Sequence, residues 1–126
     1  MLASYYLFLH FLADFILQPR EMGRKKSKDS RYLLAHIAII FSVFLVGTLS
    51  WKFALANALI HMIIDSVIWK CYASTVWKRR HKLFKNATKD DLERKFKFWE
   101  DHWFYATIGL DQFLHGATIL ILLEIL

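Results

Sequence analysis

Four long apolar stretches are separated along this chain by two strongly charged connections and one tight turn. Residues 1–18, 32–50, 53–69 and 103–126 contain no Lys or Arg. The shortest of these spans about 26 Å and the first about 27 Å as α-helix, close to the roughly 30 Å of a bilayer's hydrocarbon core. The pattern predicts an all-α fold: a polytopic four-helix transmembrane bundle forming one integral membrane domain over residues 1–126. Pro19 ends the first helix. Spans two and three are separated by little more than Thr48–Lys52, so they form an antiparallel hairpin with Trp51 and Lys52 at an interface. In the longer connection, Thr88 and Asp91 read as a capping box. Leu92, Phe96, Trp99 and Trp103 then recur at helical spacing, predicting a short amphipathic helix on the membrane surface.

Charge gives this pattern a direction. The chain has 17 Lys and Arg against 11 Asp and Glu, a formal net charge of +6. Every Lys and Arg except Lys52 lies in connections 19–31 and 70–102. The positive-inside rule then makes both basic connections cytoplasmic and leaves both termini outside. Anionic headgroups account for the positive charge, so a nucleic-acid partner is not expected, even for the run Lys78-Arg79-Arg80-His81-Lys82. With 56% hydrophobic residues, four Gly and one Pro, a many-stranded β fold is excluded. A single Cys excludes an internal disulfide and any multi-cysteine metal knuckle, and Cys71 reads as an interfacial thiol. The first apolar stretch lacks a basic leader and a small-x-small cleavage site, so it is expected to be retained.

Seven His and Asp residues fall inside the spans: His10 and Asp14, His36, His61 and Asp65, Asp111 and His115. Intramembrane Asp costs about 2.5–3.5 kcal/mol on insertion scales, which makes each a candidate functional group. No Lys or Arg shares the spans. The three Asp are therefore expected to be protonated, hydrated, bonded to histidine or bound to metal. His10/Asp14, His61/Asp65 and Asp111/His115 are all i,i+4 pairs, so each pair shares one helix face. Spans one and three run inward and read His then Asp, whereas span four runs outward and reads Asp then His. All three Asp thus lie nearer the cytoplasm, with the His one turn deeper. Counting from the charged ends puts the seven in a slab about two turns thick. His81 and His102 fall outside it and carry no assigned role.

Imidazole with carboxylate suits zinc, manganese or iron better than calcium or magnesium. Three or four such donors complete one zinc site, and seven suffice for two metals about 3.5–4 Å apart. The expected cofactor is one or two divalent transition-metal ions, zinc first. Their ligands would be drawn from His10, Asp14, His36, His61, Asp65, Asp111 and His115, with Asp14, Asp65 and Asp111 as the catalytic carboxylates. Gln18, Gln112 and Asn57 are candidate supports for these ligands. A metal-free proton or ion relay, and polar residues that merely join helices, are the competing explanations.

The set His10-x3-Asp14-Phe15-x2-Gln18, His36, His61-x3-Asp65 and Asp111-Gln112-x2-His115 resembles an uncharacterised family of small bacterial and phage integral membrane proteins, a domain of unknown function. The resemblance covers nearly the whole chain and implies a bacterial inner-membrane protein, but supplies no reaction. A more distant similarity is to membrane-bound metal-dependent hydrolases, at the level of site chemistry. The Arg-rich phosphate cradle and P-S-G-H turn of vanadium-peroxidase-like phosphatases are absent, as are the D-x2-D-G motifs of CDP-alcohol transferases. The expected function is metal-assisted hydrolysis of a lipid-linked or amphipathic substrate at the cytoplasmic leaflet. The rim Arg20, Arg24, Lys25, Lys26, Arg79 and Arg80 would attract an anionic headgroup. A proton or metal-ion transporter, or a non-catalytic membrane interaction module, is the alternative, and a homo-oligomer would extend either. The outer half of span two has little polar lining, which weighs against a pathway across the bilayer.

Overall fold

The structure, a computed structural model, describes residues 1–26, 28–83 and 102–126. It is all-helical among these residues. Helix α1 (Leu2–Phe11) passes into a π-helical turn (Leu12–Ile16), followed by short α2 (Arg20–Lys25), α3 (Ser30–Thr48), α4 (Trp51–Leu83) and α5 (His102–Ile125). The amphipathic helix expected between Thr88 and Trp103 lies largely outside the described residues.

Local chemistry sets most boundaries. The Asp29 side chain accepts from the Arg31 backbone N–H at 2.9 Å and caps α3. That helix ends at Leu49, which takes the left-handed conformation (φ 54°). The hairpin into α4 is then closed by side chains: Thr48 Oγ1 accepts from the Ser50 N–H at 3.2 Å, and Ser50 Oγ accepts from the Phe53 N–H at 3.3 Å. Two boundaries differ from expectation. Helix α4 does not stop near Trp69 but continues to Leu83, because residues 70–83 contain no Gly or Pro and are rich in helix-compatible side chains. The first helix does not continue to Gln18 as regular α-helix. It widens into the π turn, with the Leu17 N–H bonded to the Leu12 carbonyl at 2.9 Å, before Pro19 breaks it.

Each helix buries one stripe, and each stripe changes character along its length. On α3 it reads His36, Ile40, Phe44; on α5, Asp111, His115, Ile119, Leu122. On α4 it begins apolar with Phe53, Ala54 and Ala58 and turns polar at His61 and Asp65. Because α3 and α4 are antiparallel, the apolar parts coincide near the hairpin and the polar parts at the other end. Phe53 meets Tyr6 edge-on at 4.8 Å and stacks on Phe44 at 5.8 Å, so aromatic rings close the apolar end. The outward faces are apolar as well: Val46, Ile63 and Phe113 are each more than half exposed. Three helices, Ser30–Thr48, Trp51–Val76 and His102–Ile125, are long and apolar enough to cross a membrane, and Leu2–Ile16 is a shorter apolar helix. An apolar exterior around a polar centre marks a membrane protein.

Candidate metal centre

The structure brings all seven His and Asp residues of the spans together, none more than 5% exposed. His36 Nε2 and His61 Nε2 are 3.0 Å apart. Asp14 Oδ1 is 3.2 Å from His36 Nε2 and 3.9 Å from His61 Nε2. Asp65 Oδ2 is 3.5 Å from each of the same two nitrogens. Asp65 then turns its other oxygen to His115, Oδ1 to Nε2 at 3.3 Å, and His115 Nε2 is 3.5 Å from Asp111 Oδ1. The His61 and His115 rings stack with centroids 3.7 Å apart.

His10 stands at the edge of this group. Its ring centroid is 5.1 Å from that of His115, and its Nε2 is 3.9 Å from Asp14 Oδ2. Gln112 joins the two residues. Its amide N–H donates to Asp14 Oδ2 at 2.7 Å and its carbonyl oxygen lies 3.0 Å from His10 Nε2. Asp14 belongs to the π turn. The extra residue in that turn redirects its carboxylate, so that Oδ1 faces His36 on α3 while Oδ2 takes Gln112 on α5. Of the other amide residues, Asn57 is buried, with its Nδ2 unbonded among the described residues, and the Gln18 side chain folds against Gly23 instead.

Lys26 corrects the expectation that the carboxylates have no buried cation. Instead of standing on the rim it is only 8% exposed, and its Nζ lies 2.9 Å from Asp65 Oδ2 and 3.5 Å from Asp14 Oδ1. It is also 3.5 Å from His36 Nε2. Pro19 and α2 explain the reversal: the break turns the chain back, α2 packs on α3, and the long lysine stem reaches under the bundle. A Cβ at Gly23 would meet only the tip of the Gln18 side chain, Nε2 at 2.9 Å, which can move aside. Burial opposes the Lys26 charge, but the Asp65 and Asp14 carboxylates outweigh it and hold its pKa above that of a free lysine. The only sequence signal was the run Arg24-Lys25-Lys26, which does not say which of the three turns inward. Of the remaining rim, Arg20 and Lys25 are exposed, and the side chains of Arg24, Arg79 and Arg80 lie outside the described residues.

The donors fit a metal. Two groups, Asp14/His36/His61 and His61/Asp65/His115, each offer three ligand atoms within 4.8 Å of one another, and they share His61. The ligands of a tetrahedral zinc bound at 2.0–2.1 Å lie about 3.3 Å apart, and the measured separations of 3.0–3.9 Å bracket that value. Asp14 Oδ1 and Asp65 Oδ2 are buried against Lys26 and His36, and buried Asp111 Oδ1 has only the 3.5 Å contact with His115 Nε2 among the described residues. Three buried carboxylates beside one ammonium leave room for a further cation.

The sequence matches the family described as "Protein of unknown function (DUF3307)" over residues 2–126. The chain belongs to this family. No curated protein and no solved structure matches it. For this DUF3307 protein, the site itself must therefore carry the functional argument.

Proposed function

We propose that this membrane protein is a metal-dependent hydrolase, acting at the cytoplasmic leaflet of the bacterial inner membrane on a lipid-linked or amphipathic substrate with an anionic headgroup. One observation carries the reading: two three-donor groups of imidazole and carboxylate, sharing His61, are buried at the polar end of a bundle with an apolar exterior. His10, His36, His61 and His115 would supply imidazoles; Asp14, Asp65 and Asp111 would complete the ligand shell, one of them taking a proton from water as general base. A divalent transition metal, zinc by preference, supplies the polarisation that makes water a nucleophile near neutral pH. Exposed Arg20 and Lys25 on α2 support headgroup attraction at the surface. The charge bias supports outward termini, and a homo-oligomer is compatible with the same site.

Elemental analysis of detergent-purified protein tests the reading. At least one transition-metal ion per chain is expected in the wild type and less than a tenth of that in His61→Ala, because His61 belongs to both donor groups. A metal-free wild type that survives extraction folded would remove the hydrolase reading.

Lys26 favours a second reading, a metal-free proton or ion relay, because an ammonium already neutralises part of the carboxylate charge. Proton flux into proteoliposomes that disappears in Asp65→Asn, from protein free of metal, would select that reading.

A further inference from the structure

We infer that Lys26 occupies the place of a second metal ion, so that the centre holds a single divalent cation beside a lysine ammonium. The inference rests on the metal reading above and specifies its nuclearity. Three observations lead to it.

The first is steric and electrostatic. Lys26 Nζ contacts Asp14 Oδ1 and His36 Nε2, two of the three donors of the Asp14/His36/His61 group, and Asp65 Oδ2, which lies 3.5 Å from the His36 and His61 nitrogens. A metal bonded to those donors at 2.0–2.1 Å would sit about 3–4 Å from the ammonium, with no space for an intervening group. Two cations so close in a buried site repel strongly.

The second is the orientation of Asp65. Its Oδ2 takes Lys26, whereas its Oδ1 faces His115 Nε2 at 3.3 Å. A carboxylate that bridges two metals presents one oxygen to each; here the ammonium takes one side. On the other side, His61, Asp65 and His115 form a three-donor group, and buried Asp111 Oδ1 lies 3.5 Å from His115 Nε2 with no hydrogen bond among the described residues.

The third is charge. Among the described residues, the buried ionic groups besides the histidines are Asp14, Asp65, Asp111 and Lys26. Three carboxylates against one ammonium leave two negative charges, which one divalent ion neutralises. A second divalent ion would leave the buried centre with two positive charges, an arrangement that low-dielectric surroundings penalise. In this arrangement the metal holds one side of an anionic substrate group and the Lys26 ammonium draws charge toward the other, without a second metal.

Zinc stoichiometry tests this. Wild type, Lys26→Met and Lys26→Gln are purified in detergent, stripped with chelator, dialysed against Zn2+ and assayed for zinc per chain. Thermal unfolding is followed with and without Zn2+. One zinc is expected in the wild type and two in both variants. The stripped variants should unfold at lower temperature than the stripped wild type, and Zn2+ should restore them, since the added ion replaces the lost ammonium. Two zinc ions in the wild type, or one in both variants, would overturn the inference and leave the metal reading standing. No zinc in any of the three proteins removes the metal reading, and this inference with it. If neither variant folds even with Zn2+, a cation at that position does not replace the ammonium, and the inference fails on that ground.

Discussion

At the scale of single residues, Gln112 takes part in three of the side-chain hydrogen bonds that hold the polar centre, to His10, Asp14 and Asp111. It links His10 of α1 to Asp14 of the π turn from a position on α5, with contacts of 3.0 and 2.7 Å. Gln112→Ala would leave both partners without that link in a water-poor interior. It should destabilise the protein by about 1–3 kcal/mol, the range for an unmatched buried polar group. Thermal unfolding in detergent checks the prediction; an unchanged midpoint would mean that solvent reaches the pair. The i,i+4 spacing of the His/Asp pairs identified six residues of this cluster in advance, and His36 was added by its place inside a span, whereas Lys26 was missed. It did not anticipate the cross-helix partners: His36 with His61, and Asp65 with His115. Spacing describes one helix face, whereas these contacts depend on which helices become neighbours.

At the scale of elements, α1 and α3 approach closely because Gly47 has no side chain. A Cβ at Gly47 would meet Leu9 Cδ1 at 2.6 Å, while the Tyr5 hydroxyl donates to the Gly47 carbonyl at 3.0 Å. Among the described residues, and apart from its own helix's backbone and chain neighbours, nothing lies within 4 Å of the Cβ position of Gly109 on α5. The two glycines should therefore respond in opposite directions. Gly47→Ala should destabilise by about 1–3 kcal/mol through overpacking, and Leu9→Ala in the same chain should recover part of the loss. Gly109→Ala should stabilise by up to roughly 1 kcal/mol through its helical preference alone. Unfolding midpoints of the three variants decide the matter, and equal effects of the two glycine substitutions would contradict the close packing of α1 on α3. The apolar runs predicted α1, α3, α5 and the first part of α4, whereas α2, which lies in a basic connection, was not predicted. The π turn was not legible, because nothing in Leu12–Ile16 distinguishes it from regular helix; it follows from the pull of Asp14 toward partners on two other helices.

At the scale of the molecule, a bundle that is apolar outside and polar at one end needs an orientation in the membrane, and one thiol can report it. Cys71 is the only cysteine and is exposed, two residues beyond Trp69 on α4. If the basic connections are cytoplasmic, a membrane-impermeant maleimide should label Cys71 in inverted membrane vesicles from an expression host and leave it unlabelled in right-side-out ones. The reverse pattern would refute the charge-based topology. The amino-acid order alone determined the helical class, the family and the His and Asp membership of the buried cluster, since apolar length and i,i+4 spacing are local properties readable along one chain. Only the tertiary structure decided what lies beside that cluster. A lysine at a membrane boundary has a stem long enough to reach either outward to headgroups or inward to carboxylates. The choice depends on whether the turn at Pro19 and the packing of α2 on α3 bring its ammonium within reach of Asp14 and Asp65.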